Sequence, residues 1–258
     1  MAGKKRGTVD PFELARFLDR ELRLADFPDD SSVNGLQFEG RSPVSNVALA
    51  VDASQVVLRD AIRKKADLLL VHHGLVWNGI RSITGTVKER IGLLYKGDLS
   101  LYACHLPLDA HPVLGNNAQI LRALGARHLV PFGRYHGRTI GFRGSLPRAV
   151  PLEELARRLQ RITGSVIQPV PLGSHARHLA VVSGGGAGSV PEMERTDIDT
   201  YITGEPSHTA FLQARELGKN LIFAGHYATE TFGVRAVGAR LQKRFGLNVT
   251  FLDHPTNF

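Results

Sequence analysis

The chain has a single cysteine, Cys104, in 258 residues. One thiol excludes an intrachain disulfide and fits a reducing compartment. Its place inside an apolar run makes it a packing residue rather than a nucleophile. No apolar run reaches the length that spans a bilayer, and Met1–Gly7 carries charge without an apolar segment behind it. The expectation is a soluble, cytoplasmic protein with no membrane role. Low-complexity tracts are absent, and 43% hydrophobic with 22% charged residues is an ordinary globular balance. Such a chain can bury one large core or two smaller ones.

Acidic residues are the minority, 24 against 32 Lys and Arg, for a net charge of +8. A basic balance favours phosphate-bearing partners. The positive charge is spread along the chain apart from Met1–Gly7 and the stretch Arg134 to Arg148. Neither stretch interleaves aromatics as a base-stacking platform does, so nucleic-acid binding is a minor expectation. Phosphate-loop signatures are missing as well. Ser183-Gly-Gly-Gly-Ala-Gly188 fails G-x-G-x-x-G because Ser189 holds the last glycine position, and no Walker A lysine occurs. That run reads equally well as a phosphate cradle and as a tight turn.

What is present is alternation of helical and strand periods, the mark of an α/β protein, and an internal echo. Pro11-Phe-Glu-Leu-Ala-Arg-Phe-Leu18 resembles Pro151-Leu-Glu-Glu-Leu-Ala-Arg-Arg-Leu159, each with proline near a helix start. Behind each comes a matching strand series. Val47–Val51 pairs with Leu179–Val182, Asp67–Val71 with Asp199–Ile202, and Leu99–Cys104 with Asn220–Ala224. Helices over Val87 to Lys96 and Gly115 to Leu124 match those over His208 to Leu217 and Thr229 to Phe245. The expectation is two pseudo-equivalent α/β halves with mixed sheets, residues 1–127 and 128–258, joined near Gly125–Gly133. A functional site would lie in the cleft between them.

Polar clusters follow the expected strands: His72-His73, Asp109, and His226 with Glu230. Ligands gather at the carboxyl ends of strands in open α/β sheets. Three imidazoles and two carboxylates exceed the needs of one tetrahedral ion; shared by a bridging carboxylate, they suit two divalent ions. Each residue alone has a plainer role. One of the paired histidines can pack, Asp109 can cap a turn, and Glu230 can cap a helix. If a helix begins near Tyr227, spacing four places His226 and Glu230 on one face, with Glu230 in the first turn. Glu205, His208 and His105 are further candidates, as acid, base or supporting groups, and His111 reads as solvent-side. Nitrogen and oxygen ligands together admit Zn, Fe, Mn, Co or Ni.

The runs Leu70-Val-His-His-Gly-Leu-Val-Trp77, Ala103-Cys-His-Leu-Pro-Leu-Asp109 and Gly225-His-Tyr-Ala-Thr-Glu-Thr-Phe-Gly233 resemble the NIF3-like dinuclear-metal family. Some members are labelled GTP cyclohydrolase 1 type 2 homolog. Ser32-Val-Asn-Gly-Leu-Gln37, Gly184–Gly188 and Tyr201-Ile-Thr-Gly204 match as well, and the chain resembles the short form without an inserted domain. The resemblance implies a two-metal site bridged by Glu230, with His73 and Asp109 on one ion and His72 and His226 on the other. It also implies a homohexamer whose metal sites face an inner cavity. Gly74 stands where many members have proline, which implies a looser turn. Two functions follow as alternatives: a metal-dependent hydrolase acting on a nucleotide or other phosphate-bearing small molecule, and a non-catalytic metal-binding or adaptor protein.

Overall fold

The computed structural model describes residues 7–256; most of the basic N-terminal stretch lies outside them. In chain order the elements are α1 (Pro11–Glu21), β1 (Gly35–Phe38), β2 (Asn46–Asp52), α2 (Gln55–Arg63), β3 (Leu68–His73), α3 (Gly85–Gly97) and β4 (Ser100–Ala103). Then come α4 (Leu106–Asp109), α5 (Asn116–Ala123), β5 (Arg127–Tyr135), β6 (Arg138–Pro151), α6 (Leu152–Thr163), β7 (Gln168–Val170) and β8 (His175–Val182). A 3-10 helix over Gly186–Met193 leads to β9 (Thr200–Thr203), α7 (His208–Leu217), β10 (Asn220–Phe223), α8 (His226–Phe245) and β11 (Asn248–Phe251).

The chain forms two compact units, one of residues up to 108 with 233–254, the other of residues 109–232 with the last few. The first holds a five-stranded sheet ordered β1-β4-β3-β2-β11. Strands β2, β3 and β4 run parallel, as the crossover helices α2 and α3 require. Leu68 to Val71 of β3 are wholly buried, the continuous apolar run of a central parallel strand covered on both faces. Late in the chain, α8 returns to this unit, and Gly238 lets it approach closely: a Cβ there would overlap Leu49 and stand 2.9 Å from Val249.

The second unit holds a six-stranded sheet ordered β5-β6-β8-β9-β10-β7. Strands β8, β9 and β10 are parallel, and β10 is flanked by antiparallel β7 just as β4 is flanked by antiparallel β1. The two sheets thus share a motif of three parallel strands and one antiparallel edge. Asp67 marks the equivalence at atomic level. Its carboxylate accepts from the backbone N–H groups of Ser45 and Asn46 at 2.9 and 2.8 Å. Asp199 accepts from those of Arg177 and His178 in the same way, at 3.0 and 2.9 Å.

The compact units do not divide at residue 127. The segment 125–133 is no linker, because from Arg127 it forms β5, paired with β6 across a long hairpin. The C-terminal stretch leaves the second unit because β11 pairs in parallel with β2. Asp109 opens the second unit rather than closing the first.

Candidate metal centre

His72 and His73 are the last two residues of β3, not residues of the turn beyond it. Neighbours in a strand face opposite ways, yet their ring centroids are 4.6 Å apart. The turn after them is tied rather than loose. Gln37 Oε1 accepts from the N–H of Leu75 at 2.7 Å, and Trp77 Nε1 donates to the Gly74 carbonyl at 3.1 Å. Gly74 is there because of crowding: a Cβ would overlap the Gln37 side chain and lie 2.6 Å from the Ala103 Cβ.

Three imidazoles of the first unit are oriented in one way. Nδ1 of His72 meets the Cys104 carbonyl at 2.9 Å, Nδ1 of His73 meets Asp52 Oδ1 at 2.8 Å, and Nδ1 of His105 meets Asp30 Oδ1 at 2.9 Å. A carbonyl or ionised carboxylate can only accept, so each Nδ1 donates and Nε2 is the nitrogen on the other side of the ring. That is the arrangement in which proteins present histidine to metals. One ring nitrogen from each of His72, His73 and His105 lies within 4.8 Å of the others. The Asp30 side chain is 1% exposed. Burial works to raise its pKa, but the hydrogen bond and charge of His105, with Asn34 and Ser32, hold it below the usual carboxylate value.

In the second unit α8 starts at His226, so Glu230 sits one turn in, beyond the first-turn position expected for it. His226 Nε2 lies 3.1 Å from Glu230 Oε2, and its Nδ1 meets Glu205 Oε1 at 2.5 Å. Burial alone would lower the His226 pKa; the hydrogen bonds and charges of Glu230 and Glu205 overcome it and raise the value to about 9. Two carboxylates therefore favour positive charge at this point. Gly184, at φ +57°, closes over the pair: a Cβ would overlap Glu230 and sit 3.0 Å from His226 Nε2. Asp109 ends a one-turn helix rather than lying in a loop, and its Oδ1 accepts from Asn116 Nδ2 at 2.8 Å and Ser183 Oγ at 2.9 Å.

A sequence model for Duf34/NIF3 (NGG1p interacting factor 3) matches residues 12–257. The chain belongs to the DUF34/NIF3 family. It is 46% identical over 252 residues to the "GTP cyclohydrolase 1 type 2 homolog" of Deinococcus radiodurans, covering 97% of this chain and 95% of the relative. A protein of the same description from Archaeoglobus fulgidus is 45% identical over 245 residues, 95% of this chain and 98% of that one. Among solved structures, that of TTHA1606 from Thermus thermophilus matches with a TM-score of 0.89 and 44% identity, covering 97% of this chain and all of that one.

Within this NIF3 fold each unit gathers several of the sequence-derived candidates. His72, His73 and His105 come together in the first unit; His226, Glu230 and Glu205 come together in the second, with Asp109 anchored by Asn116 and Ser183. His208 is not drawn in. It is exposed on the first turn of α7, where Ser207 is the cap. His111 is half-buried rather than solvent-side, its Nδ1 accepting from the N–H groups of Val113 and Leu114. The glycine run after β8 is a structural turn: the Gly184 carbonyl accepts from the N–H groups of Gly204 and Glu205.

Sequence reading missed Asp30, Asp52, Asn116 and Ser183. Asp52 was findable, since it ends the strand beside the one bearing the histidines and pairs in register with His73. Asp30 carries no comparable signal. It lies outside any strand and is 75 residues from the ring it orients.

Proposed function

We propose that the protein is a metal-dependent hydrolase acting on a nucleotide or another phosphate-bearing small molecule. In this reading His72, His73, Asp109, His226 and Glu230 hold two divalent ions, with Glu230 bridging. The observation that carries it is the common orientation of the histidines. Each of His72, His73 and His226 sets Nδ1 against an acceptor-only oxygen, the orientation in which Nε2 would face an ion. Mixed imidazole and carboxylate donors suit Zn, Fe, Mn, Co or Ni. When bound, such ions supply Lewis acidity and a water nucleophile at neutral pH.

The chain's own groups have definable tasks. Asp52 and Glu205 fix the rings of His73 and His226; Ser183 and Asn116 hold the Asp109 carboxylate at Oδ1. Gly184 leaves Glu230 the room it occupies. The net charge of +8 favours an anionic substrate.

The reading includes a homohexamer with its metal sites toward an inner cavity, the assembly that family resemblance implies, working in the cytoplasm. No described helix is long and apolar enough to cross a membrane. The test is a screen of phosphoesters and nucleotides on metal-reconstituted protein beside a Glu230→Ala control, with mass measured by light scattering. Turnover that requires metal and is lost in the control supports a hydrolase. Full metal occupancy with no turnover across the screen leaves the non-catalytic adaptor reading.

A further inference from the structure

Another cluster of polar side chains lies in the second unit, on one face of β5, β6 and β8. Arg143 and Ser145 are two residues apart on β6 and so point to the same face. Ser145 pairs in register with His178 of β8, and Arg143 with Val130 of β5, which brings all four to that face. His128, at φ +54°, joins them at the β-bulge between Arg127 and Val130, a break in pairing of the kind that re-aims a side chain. Together with Asp197 they line a cleft of about 230 Å³ whose apolar lining is Val130, Leu179 and Ile198.

The cleft already holds one anionic group, the chain's own. Arg143 Nη1 donates to Asp197 Oδ1 at 2.9 Å. Asp197 Oδ2 lies 3.3 Å from His178 Nδ1, which is itself 2.9 Å from Ser145 Oγ. The Asp197 side chain is 63% exposed and that of Arg143 38%, so this is a surface ion pair of little energy and is readily exchanged. A carboxylate has two oxygens, and Asp197 spends them on Arg143 and His178. Ser145 and His128 add a hydroxyl and a second imidazole, more donors than one carboxylate meets and a match for the three terminal oxygens of a phosphate. The apolar lining suits a small organic group joined to that phosphate.

We propose that this cleft binds the phosphate group of a small phosphomonoester, held by Arg143, His178, Ser145 and His128 once Asp197 is displaced. Asp197 is then an internal competitor for the cleft. The site is separate from the metal centre. Asp197 and Ile198 precede β9, whereas Glu205, which meets His226, follows its other end. The four residues of β9 put about 13 Å between those ends at the rise of an extended strand. Binding here needs no ion, so it stands or falls apart from the metal reading.

The test uses the whole chain treated with a chelator, so that phosphate finds no ion, and titrated by calorimetry at low ionic strength with inorganic phosphate and with phenyl phosphate. Both should bind saturably, phenyl phosphate more tightly because its ring meets the apolar lining. Arg143→Gln should weaken both by about tenfold or more, the range for a hydrogen bond to a charged group. Asp197→Asn should tighten both by about fivefold, as expected for removing a like charge some 4 Å away in water. That sign separates an anion site from a cation site, where the same substitution weakens binding. Circular dichroism confirms folding, and the exposed position of Asp197 keeps its variant informative should Arg143→Gln fail to fold. Unchanged or weaker phosphate binding in Asp197→Asn overturns the proposal, as does wild type that binds neither probe.

Discussion

His226 and Glu230 stand one turn apart at the start of α8, Nε2 to Oε2 at 3.1 Å, and the space beside them exists only because residue 184 has no side chain. A methyl group at Gly184 would overlap the Glu230 carboxylate, and φ of +57° strains any L-residue there. Gly184→Ala should fold with a loss of about 1–3 kcal/mol. Its metal affinity should fall further than its stability suggests, because the overlap is with Glu230 itself. Chemical denaturation and metal titration on the same preparation check this. A variant of normal affinity and lowered stability would show Gly184 to be a backbone requirement only.

Trp77 is the sole tryptophan, 5.0 Å from the His105 ring and 6.0 Å from that of His73 between centroids. Its emission is therefore a local reporter of the imidazole cluster. Titrating metal-free protein with Cu(II) or Co(II) should quench it strongly and stoichiometrically, whereas Zn(II) should change it little. His73→Ala should move the quenching to higher metal concentration. Quenching that is weak and unsaturable would mean that ions do not load beside these histidines.

Asp60 on α2 accepts from Arg63 Nη2 at 2.6 Å and from His254 Nε2 at 3.0 Å. Arg63 is the first cause of its lowered pKa, which burial opposes and His254 and Lys64 reinforce. A carboxylate whose folded pKa lies below its ordinary value of 3.8 stabilises the fold above that value, and the contribution is lost as pH falls through the folded pKa. Urea midpoints of wild type and Asp60→Asn should thus differ at pH 6 and converge as pH falls below about 4. A difference that persists unchanged at low pH would assign the effect to packing.

Asp67 and Asp199 offer a test of the internal repeat. Each carboxylate accepts from two successive backbone N–H groups of the neighbouring parallel strand, at the start of β2 in one sheet and within the first half of β8 in the other. Asp67→Ala and Asp199→Ala should each cost about 1–3 kcal/mol, the range for leaving such donors unmet. Hydrogen exchange should localise each loss to its own sheet. Spread across both sheets, the loss would argue against independent, equivalent roles.

The repeat was legible because its signal is local. Buried parallel strands such as Leu68–Val71 and Tyr201–Ile202 are short apolar runs, each with polar residues at its carboxyl end, and α7 spans the expected residues His208–Leu217. The metal candidates were legible for the same reason. What escaped depends on distant pairing. Strand β11 has alternating half-buried residues and acquires its place only from β2, some 200 residues earlier in the chain. The β5 stretch contains Pro131 and Gly133, which favour a turn reading until pairing with β6 forms the hairpin. Asp30 and Ser183 are ordinary loop residues until the fold sets them against His105 and Asp109.

Sharing of two ions by Glu230 is open to direct measurement. The most direct measurement is the metal content of wild type, Glu230→Ala and His73→Ala, each reconstituted with one divalent metal, desalted and analysed by mass spectrometry of the native protein. Wild type should carry two ions per chain, Glu230→Ala should lose metal at both positions, and His73→Ala should lose it mainly at one. Two ions retained in Glu230→Ala would contradict the sharing.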